Sequence, residues 1–355
     1  MRKRIALLPG DGIGPEVMAE AVKVLDAVAK KFKHSFTYEE APVGGAAFDV
    51  CGEHLPQSTL DVCRRSDAVL YGSVGGPVNA QDQLKWKDAE KHAILGIRKA
   101  LNLSINVRPA VVYNSLAHLS PLKDRIIEKG VDILIIRELL GDVYFGERGT
   151  KGKRAWDVMD YTEDQIAPVI EFACQAARKR RKNVTVVDKA NVLDTSRLWR
   201  KVAGDISPRF SDVAVEFLYV DNACMQLVTH PSRFDVIATS NLFGDIVSDV
   251  AATLPGSLGL MPSASLGNKV HLFEPIGGSA PDIAGRGVAN PVAQILSAGL
   301  MLRHSFGMES EAVAIESAVK QAIEQGARTG DIALKGEAVL GTKEMGDRIA
   351  LLIDR

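Results

Sequence analysis

The sequence predicts an α/β fold in two domains, and three observations support this prediction. Short apolar runs alternate with segments of helical hydrophobic period almost from end to end, which is typical of α/β architectures. The 355 residues exceed the usual size of a single domain. Polar residues also stand directly after several apolar runs, where open α/β sheets bind their ligands. These residues are Asp11, Arg137, Lys189, Asp221 and Asn241.

The apolar runs and the amphipathic segments give the predicted elements in order. Strands are predicted at residues 4–8, 36–40, 67–71, 131–137, 184–188, 213–220 and 234–239. Helices are predicted over 16–32, 163–177, 293–304 and 309–325, where apolar residues recur at 3.6-residue spacing or lie between glycine-rich joints.

The polar stretch 145–161 does not fit this alternation. It contains glycines and is punctuated by Trp156 and Tyr161. A protruding β-arm and an ordered surface loop both agree with this composition, and we favour the arm.

The charge balance argues against a polyanionic partner. There are 43 Lys and Arg residues against 44 Asp and Glu, a formal net charge of −1, whereas nucleic-acid binders usually carry a strong basic excess. The basic run 178–182 closes a predicted helix, where cations complement the helix dipole. We therefore expect no nucleic-acid partner.

Cysteine content and hydropathy point to a cytoplasmic protein. Four scattered cysteines, without a C-x-x-C pair, suggest neither a disulfide scaffold nor a zinc site. No segment approaches the roughly 18 consecutive apolar residues of a membrane span, so we expect no membrane association. The cysteines are Cys51, Cys63, Cys174 and Cys224.

Asp245 and Asp249 are the candidates for a metal site. In a helix, the two carboxylates would share a face, with Cβ atoms about 5–6 Å apart, and would repel each other. A cation between them would relieve the repulsion, and carboxylate oxygens suit Mg²⁺ or Mn²⁺. A solvated helix face is the alternative, although the flanking residues are apolar and uncharged.

Three arginines and two possible proton carriers are candidates for substrate chemistry. Arg98, Arg108 and Arg137 could each clamp a carboxylate with two hydrogen bonds, and a structural salt bridge is the alternative for each. Lys189 ends a predicted strand, where a lysine beside carboxylates can shuttle protons. Tyr144 could donate a phenolic proton or could simply pack as an amphipathic side chain.

Two glycine-rich segments are candidates for close approach to a ligand. In the turn 10–15, proline at position 15 breaks the dinucleotide-binding fingerprint, so we expect a tight turn near some ligand. The loop 274–291 is rich in Gly, Pro and Ala, which lets backbone approach a flat or phosphorylated molecule. Within it, Asp282 could bind ribose hydroxyls and repel a 2′-phosphate.

Eight segments distributed along the chain form one set of motifs. They are LPGDGIGPEV (8–17), GSVGGP (72–77), RPA (108–110), REL and YFG within 137–146, VDKANVL (187–193), YVDNACMQL (219–227), SNLFGDIVSD (240–249), and EPIGGSAPDIAG with ANP within 274–291. This set resembles the isocitrate/isopropylmalate dehydrogenases, the metal-dependent β-decarboxylating dehydrogenases of 2-hydroxy acids. The resemblance covers nearly the whole length.

The resemblance implies a two-domain, non-Rossmann α/β fold whose first domain is discontinuous. Residues 1–103 and 256–355 would form the cofactor-binding domain. Residues 104–255 would form the domain for substrate, metal and dimerisation. An arm at about 145–161 would lie at the interface of a homodimer with shared active sites.

The resemblance also implies roles for the candidate substrate residues. Arg98, Arg108 and Arg137 would hold the carboxylates of a small-molecule substrate. Lys189 would help to remove the hydroxyl proton, and Tyr144 would protonate the enolate left by decarboxylation.

Metal and cofactor residues follow from the same resemblance. Asp221, Asp245 and Asp249 would bind Mg²⁺ or Mn²⁺, and Asp221 would also contact the substrate. Asp221 and Lys189 would come from the second subunit. The cofactor would be NAD, which the aspartate at position 282 favours over NADP. Its binding residues would be Ile13, Glu274, Gly278, Ser279, Ala280, Asp282, Asn290 and Asp331.

The segment before Arg98 bears on the substrate. Ile94 and Leu95 would form an apolar wall for an isopropyl group, completed by Val192, where isocitrate enzymes have polar residues. Each buried CH₂ contributes about 0.8 kcal/mol to such a preference. The implied reaction is NAD-dependent oxidative decarboxylation of (2R,3S)-3-isopropylmalate to 4-methyl-2-oxopentanoate, a step of leucine biosynthesis.

The sequence departs from the family pattern in three places. Lys91, in the atypical region 78–92, replaces a glutamate common among isopropylmalate enzymes, and Leu140 and Asp142 interrupt the usual Thr-Gly-Gly. Gly277 replaces a histidine of some relatives. D-malate, tartrate or a related diacid therefore stays an alternative substrate. A non-catalytic regulatory subunit is a further alternative, disfavoured because every matched catalytic and metal position retains its residue type.

Overall fold

The computed structural model describes residues 1–354 and divides the chain into two compact units. The first unit comprises Met1–Asn102 and Ser257–Arg355, and the second comprises Leu103–Gly256. The strands in chain order are β1 (Arg2–Gly10), β2 (Ser35–Glu40), β3 (Ala68–Ser73), β4 (Leu103–Val111), β5 (Asp132–Glu138), β6 (Arg148–Lys151), β7 (Arg154–Asp157), β8 (Asn183–Asp188), β9 (Ala214–Tyr219), β10 (Val236–Thr239), β11 (Pro262–Gly267) and β12 (Leu272–Pro275). The helices are α1 (Gly14–Phe32), α2 (Gly45–Cys51), α3 (Gln57–Arg65), α4 (Gly96–Ala100), α5 (Asp124–Ile127), α6 (Glu163–Arg178), α7 (Asp194–Ile206), α8 (Val220–Thr229), α9 (Asn241–Ala252), α10 (Val292–Phe306), α11 (Glu309–Glu324) and α12 (Thr342–Asp354).

In the first unit the strand order is β2-β1-β3-β12-β11. Strand β1 pairs in parallel with β2 and β3, β12 is parallel to β3, and β11 is antiparallel to β12. Every residue of β3 is buried, as expected for an internal parallel strand covered by helices. Helix α1 begins with Pro15 in its first turn and packs against α10 and α12.

In the second unit the strand order is β4-β5-β10-β8-β9. Strand β4 is antiparallel to β5, and the other four strands are mutually parallel. The carboxyl ends of β5, β10, β8 and β9 therefore lie along one edge of the sheet. Arg137, Asn241, Lys189 and Asp221 lie at these ends, so the register brings the predicted polar residues of this unit to one edge.

The stretch 145–161 contains a short antiparallel hairpin of β6 and β7. Its strands are largely exposed, and the ring of Trp156 lies over Gly149. This geometry agrees with the expected β-arm, and its place at a dimer interface stays a prediction.

The predicted α/β fold class is confirmed, and all seven predicted strands and four predicted helices are present with shifted ends. Strands β4, β11 and β12 were not predicted. Strand β4 carries Pro109 and alternates polar with apolar residues, β11 consists mainly of small residues, and β12 has four residues. Each of them lacks the branched apolar run that marks a buried strand.

Three further sequence observations have structural counterparts. All four cysteines are free thiols. In the basic run 178–182, Arg178 pairs with Asp212, and Arg180 pairs with Asp132 and Asp235, so much of its charge is neutralised locally. Among the residues that the structure describes, no helix combines the length and the apolar character that crossing a membrane requires.

Candidate active site

Arg137 is fixed at the carboxyl end of β5 by the start of α9. Its side chain is almost fully buried. Nε and Nη2 donate hydrogen bonds to the amide oxygen of Asn241 over 3.0 and 2.7 Å, and Nη1 donates to Asp245. The helix that carries the predicted metal ligands thus also orients this guanidinium.

Gly244 permits the close contact between β5 and α9. A Cβ atom at this position would lie 2.5 Å from Cγ of Arg137, nearer than any side chain tolerates. Glycine inside a helix is otherwise destabilising, so its presence in the SNLFGD motif indicates close packing. Asn241 was predicted to lie at the ligand-binding edge of the sheet but was given no role there. Gly244 was not singled out, although its place inside a helix could have revealed the close packing.

Arg108 reaches the same helix from β4. Its Nε donates to Oδ1 of Asn106 and its Nη1 to Oγ of Ser248, both over 2.7 Å. Nη1 also lies 3.7 Å from Asp249 Oδ1 and 3.9 Å from Asp245 Oδ1. Asn106 and Ser248, both missed by the sequence analysis, therefore position a predicted substrate residue.

Tyr144 contacts the same carboxylate as Arg137. Its hydroxyl donates to Oδ2 of Asp245 over 2.7 Å, and the Arg137 guanidinium lies 5.6 Å from its ring centre. Burial, together with the hydrogen bond to Asp245 and the charge of that residue, raises the pKa of Tyr144 to about 12. The phenol is therefore protonated at neutral pH.

The two aspartates of α9 share one helix face, but their electrostatic environments differ. Burial opposes ionisation of Asp245, yet Arg137, Arg108 and the Tyr144 hydrogen bond lower the pKa of its carboxyl. Burial and the neighbouring charge of Asp245 raise the pKa of Asp249. We call Arg108, Arg137, Tyr144, Asp245 and Asp249 the arginine cluster.

Lys189 and Asp221 form a separate ion pair, which we call the lysine pair. The Lys189 Nζ lies 2.9 Å from Asp221 Oδ1 and 5.9 Å from the ring centre of Tyr219. The hydrogen bond from Lys189 lowers the pKa of Asp221. Val192, three residues after Lys189, is 61% exposed.

Asp221 does not join Asp245 and Asp249 in one metal site within a single chain. Across residues 1–354, no group of three or more His, Cys, Asp or Glu side chains is arranged to hold a metal ion. That the lysine pair acts in the site of another subunit stays a prediction.

In the first unit, Arg98 is buried against Glu274. Its Nη2 donates to Glu274 Oε1 over 3.1 Å, which links a predicted substrate residue to a predicted cofactor residue. Its Nε is buried and has no hydrogen-bond partner within the described chain, so a donor is available for a ligand. Ile94 and Leu95 are half-buried in the π-helical turn Lys91–Leu95 that precedes α4.

The predicted cofactor residues of the first unit lie in the turn 10–15 and the loop 274–291, except Asp331, which lies between α11 and α12. The Ile13 amide donates to the Ser279 carbonyl over 2.8 Å, which holds the turn 10–15 against the loop 274–291. Asn290 Nδ2 donates to Asp331 Oδ2 over 3.0 Å. Gly278 and Asp282 are exposed, and Ala280 has a positive φ of 41°.

Comparison with known proteins gives consistent matches over the whole chain. The family model described as isocitrate/isopropylmalate dehydrogenase matches residues 4–349. The 3-isopropylmalate dehydrogenase of Thermotoga maritima is 51% identical over 353 residues, and that of Moorella thermoacetica is 51% identical over 356 residues; in both comparisons 98% of each chain is covered.

Solved structures match at lower sequence identity. An isocitrate dehydrogenase from Methylococcus capsulatus has a TM-score of 0.87 and 35% identity, covering 99% of this chain and 100% of that one. A β-decarboxylating dehydrogenase from Thermococcus kodakarensis has a TM-score of 0.81 and 34% identity, covering 99% and 96%.

Proposed function

The chain belongs to the isocitrate/isopropylmalate dehydrogenase family, and from this premise we propose its complete reaction. It is a metal-dependent decarboxylating dehydrogenase. The proposed reaction is the NAD-dependent oxidative decarboxylation of 3-isopropylmalate to 4-methyl-2-oxopentanoate in leucine biosynthesis. The observation that carries this proposal is the arginine cluster, which places two buried guanidiniums beside a pair of carboxylates.

The donor set of the arginine cluster fits a diacid and a hard divalent cation. Arg108 and Arg137 present planar donors suited to carboxylates, and Arg98 adds a buried donor in the first unit. Asp245 and Asp249 offer oxygen ligands on one helix face, and the lowered pKa of Asp245 keeps it ionised. Mg²⁺ or Mn²⁺ prefers such ligands, with Asp221 of a second subunit as the third.

The proposed NAD site consists of the exposed glycine-rich loop and the residues that support it. Ser279 is held by Ile13, and Asn290 is held by Asp331. The exposed Asp282 carboxylate would bind ribose hydroxyls and repel the 2′-phosphate of NADP. Glu274, Gly278 and Ala280 complete the set of residues that would line the cofactor.

Two side chains would move the protons of the reaction. When bound, NAD would accept the hydride and the divalent cation would polarise the new carbonyl group. Lys189 would assist the removal of the proton from the substrate hydroxyl. Tyr144, whose raised pKa keeps it protonated, would deliver a proton to the carbon that loses CO₂.

A homodimer with shared sites belongs to the same proposal. Asp221 lies on a helix face of α8 with Met225 and Val228, which are 59% and 46% exposed. An exposed apolar face beside the lysine pair supports docking of a second copy at this position. We place the dimer in the cytoplasm, in keeping with its four free thiols.

Reduction of NAD with four substrates tests the proposal. With Mg²⁺ or Mn²⁺ present, we expect kcat/KM for 3-isopropylmalate to exceed those for D-malate, tartrate and isocitrate by about 50-fold. This ratio corresponds to burying the roughly three carbons of the isopropyl group beside Ile94 and Leu95. Equal values for malate and isopropylmalate, or no turnover of any of the four, would contradict it.

A further inference from the structure

Helix α9 begins without a cap from its own sequence. Ser240 occupies the N-cap position, but its hydroxyl is buried and has no hydrogen-bond partner among residues 1–354. The first amides of a helix need acceptors, because no carbonyl of the helix reaches them. Here the acceptors come from distant positions: the Asn241 amide donates to the Tyr161 hydroxyl over 2.9 Å, and the Leu242 amide donates to Asp142 Oδ2 over 3.0 Å.

Asp142 accepts the hydrogen bond of the Leu242 amide from a strained backbone position. It is fully buried and has a φ of 68°, in the left-handed region where glycine is favoured. Its Oδ1 accepts the hydrogen bond of the Val143 amide, and its Oδ2 caps Leu242. The pattern that the resemblance implies has glycine here, and the aspartate of this chain supplies a side-chain acceptor that a glycine would not have.

Tyr161 joins this cap to a second buried carboxyl. Its hydroxyl lies 3.0 Å from Glu138 Oε2 and 3.4 Å from Asp142 Oδ2, so it can donate to either while it accepts from Asn241. The ring is fixed as well, because a Cβ atom at Gly141 would lie 2.5 Å from it and Trp199 packs edge-on at 5.6 Å.

Asn241, the first residue of α9, connects these capping hydrogen bonds to the guanidinium of Arg137. Asn241 donates from Nδ2 to the Gly141 carbonyl over 3.1 Å, and its Oδ1 accepts two hydrogen bonds from Arg137. Its backbone amide is the one held by Tyr161. Three partners therefore hold Asn241 in place. Two of them, the Gly141 carbonyl and the Tyr161 hydroxyl, belong to the segment 141–161.

We propose that Tyr161 and Asp142 are positioning residues that set the start of α9 and thereby orient Arg137 toward the substrate carboxylate. The inference rests on the proposed function for the identity of the diacid. Tyr161 holds the Asn241 amide and Asp142 holds the neighbouring Leu242 amide, so both reach Arg137 through the start of α9. On this proposal, the aspartate that replaces the glycine of the family pattern at position 142 helps to orient Arg137. It does not change which substrate the protein binds.

Steady-state kinetics of Tyr161→Phe, Asp142→Gly and Asp142→Asn test the proposal. We expect Tyr161→Phe and Asp142→Gly to raise KM for 3-isopropylmalate about tenfold, with KM for NAD and kcat within about twofold of the parent values. Asp142→Asn retains an acceptor oxygen and should recover most of the loss. Tyr38→Phe, which removes another Tyr–Asp hydrogen bond at the surface of the first unit, is the matched control.

Asp142→Gly separates positioning from folding. Glycine relieves the positive φ, so thermal stability should change little while KM rises. Amide hydrogen exchange of ligand-free protein should be faster in the first turn of α9 in Tyr161→Phe and Asp142→Gly, but not in Tyr38→Phe. Unchanged KM together with unchanged exchange would overturn the proposal. If the parent protein does not oxidise 3-isopropylmalate, the proposed function fails, and the exchange measurement alone decides the positioning role.

Discussion

The arginine cluster and the lysine pair lie at the same edge of one sheet but are built differently. The cluster is tied together by β4, β5 and α9, and its two guanidinium side chains are 9% and 4% exposed. The lysine pair follows β8 and the terminal strand β9, and its lysine and aspartate side chains are 28% and 60% exposed. One chain thus makes all the contacts within the arginine cluster, whereas its lysine pair lies apart from them and is more exposed.

Replacing Asp245 should have the largest effect, because Arg108, Arg137 and Tyr144 all contact this carboxylate. We expect Asp245→Asn to lower kcat/KM at least about 1,000-fold and to abolish the dependence on Mg²⁺ or Mn²⁺, while NAD still binds. Stability should fall by about 1–3 kcal/mol, since the buried guanidiniums lose a counter-charge. Asp212→Asn removes an exposed Arg–Asp pair of the same unit and is the control. Full metal-dependent activity of Asp245→Asn would refute the metal assignment.

Replacing Lys189 should separate chemistry from stability. We expect Lys189→Ala to lower kcat about 100- to 1,000-fold, because removal of the hydroxyl proton loses the side chain that assists it. Its melting temperature should stay within about 1 °C, since an exposed ion pair contributes little to folding. Lys201→Ala, which breaks an exposed pair with Glu163, should change neither quantity. A large fall in the melting temperature of Lys189→Ala would show that the lysine pair stabilises the fold as the arginine cluster does, which would contradict the difference described between them.

Replacing Glu138, which follows Arg137 in the chain, should change how the free energy of unfolding depends on pH. Burial raises the pKa of this carboxyl from 4.5 to about 7. The folded state therefore holds a proton that the unfolded state releases, and stability falls as pH rises from about 4.5 to about 7. Glu138→Gln removes this dependence, so its stability relative to the parent should rise by about 3 kcal/mol across that window.

Urea unfolding at pH 4.5, 6 and 8 measures this change, with the exposed Glu163→Gln as the control. Parallel stability profiles for Glu138→Gln and the parent would show that the carboxyl is ionised throughout the window. The folded protein would then bind no additional proton at Glu138, and the expected pH dependence of its stability would be wrong.

The sequence predicted the parts of the site that depend on local spacing. Asp245 and Asp249 share a helix face because they are four residues apart, and Arg137 and Lys189 follow parallel strands. Such positions follow from the period of one element and from the common direction of neighbouring strands.

The supporting residues could not be predicted in this way. Asn106 is directly opposite Arg137 because of the antiparallel register of β4 and β5. Asp142 and Tyr161 meet α9 across 100 and 80 residues of chain. These contacts depend on long-range pairing, which the period of a single segment does not encode. Strands β11 and β12 were missed for a local reason: β11 consists mainly of small residues and β12 has only four residues, so neither shows a branched apolar run.

The central claim is that the lysine pair of one subunit completes the arginine cluster of another, and a mixed dimer tests it most directly. Tyr144→Phe and Lys189→Ala chains carrying different tags are co-expressed, and the heterodimer is purified. One of its two sites should then combine an intact Tyr144 with an intact Lys189, giving about half of the parent activity per dimer. A heterodimer of the parent with the doubly substituted chain should be inactive. The reverse result, an inactive mixed dimer and a half-active control, would show that each chain uses its own lysine and would contradict the account.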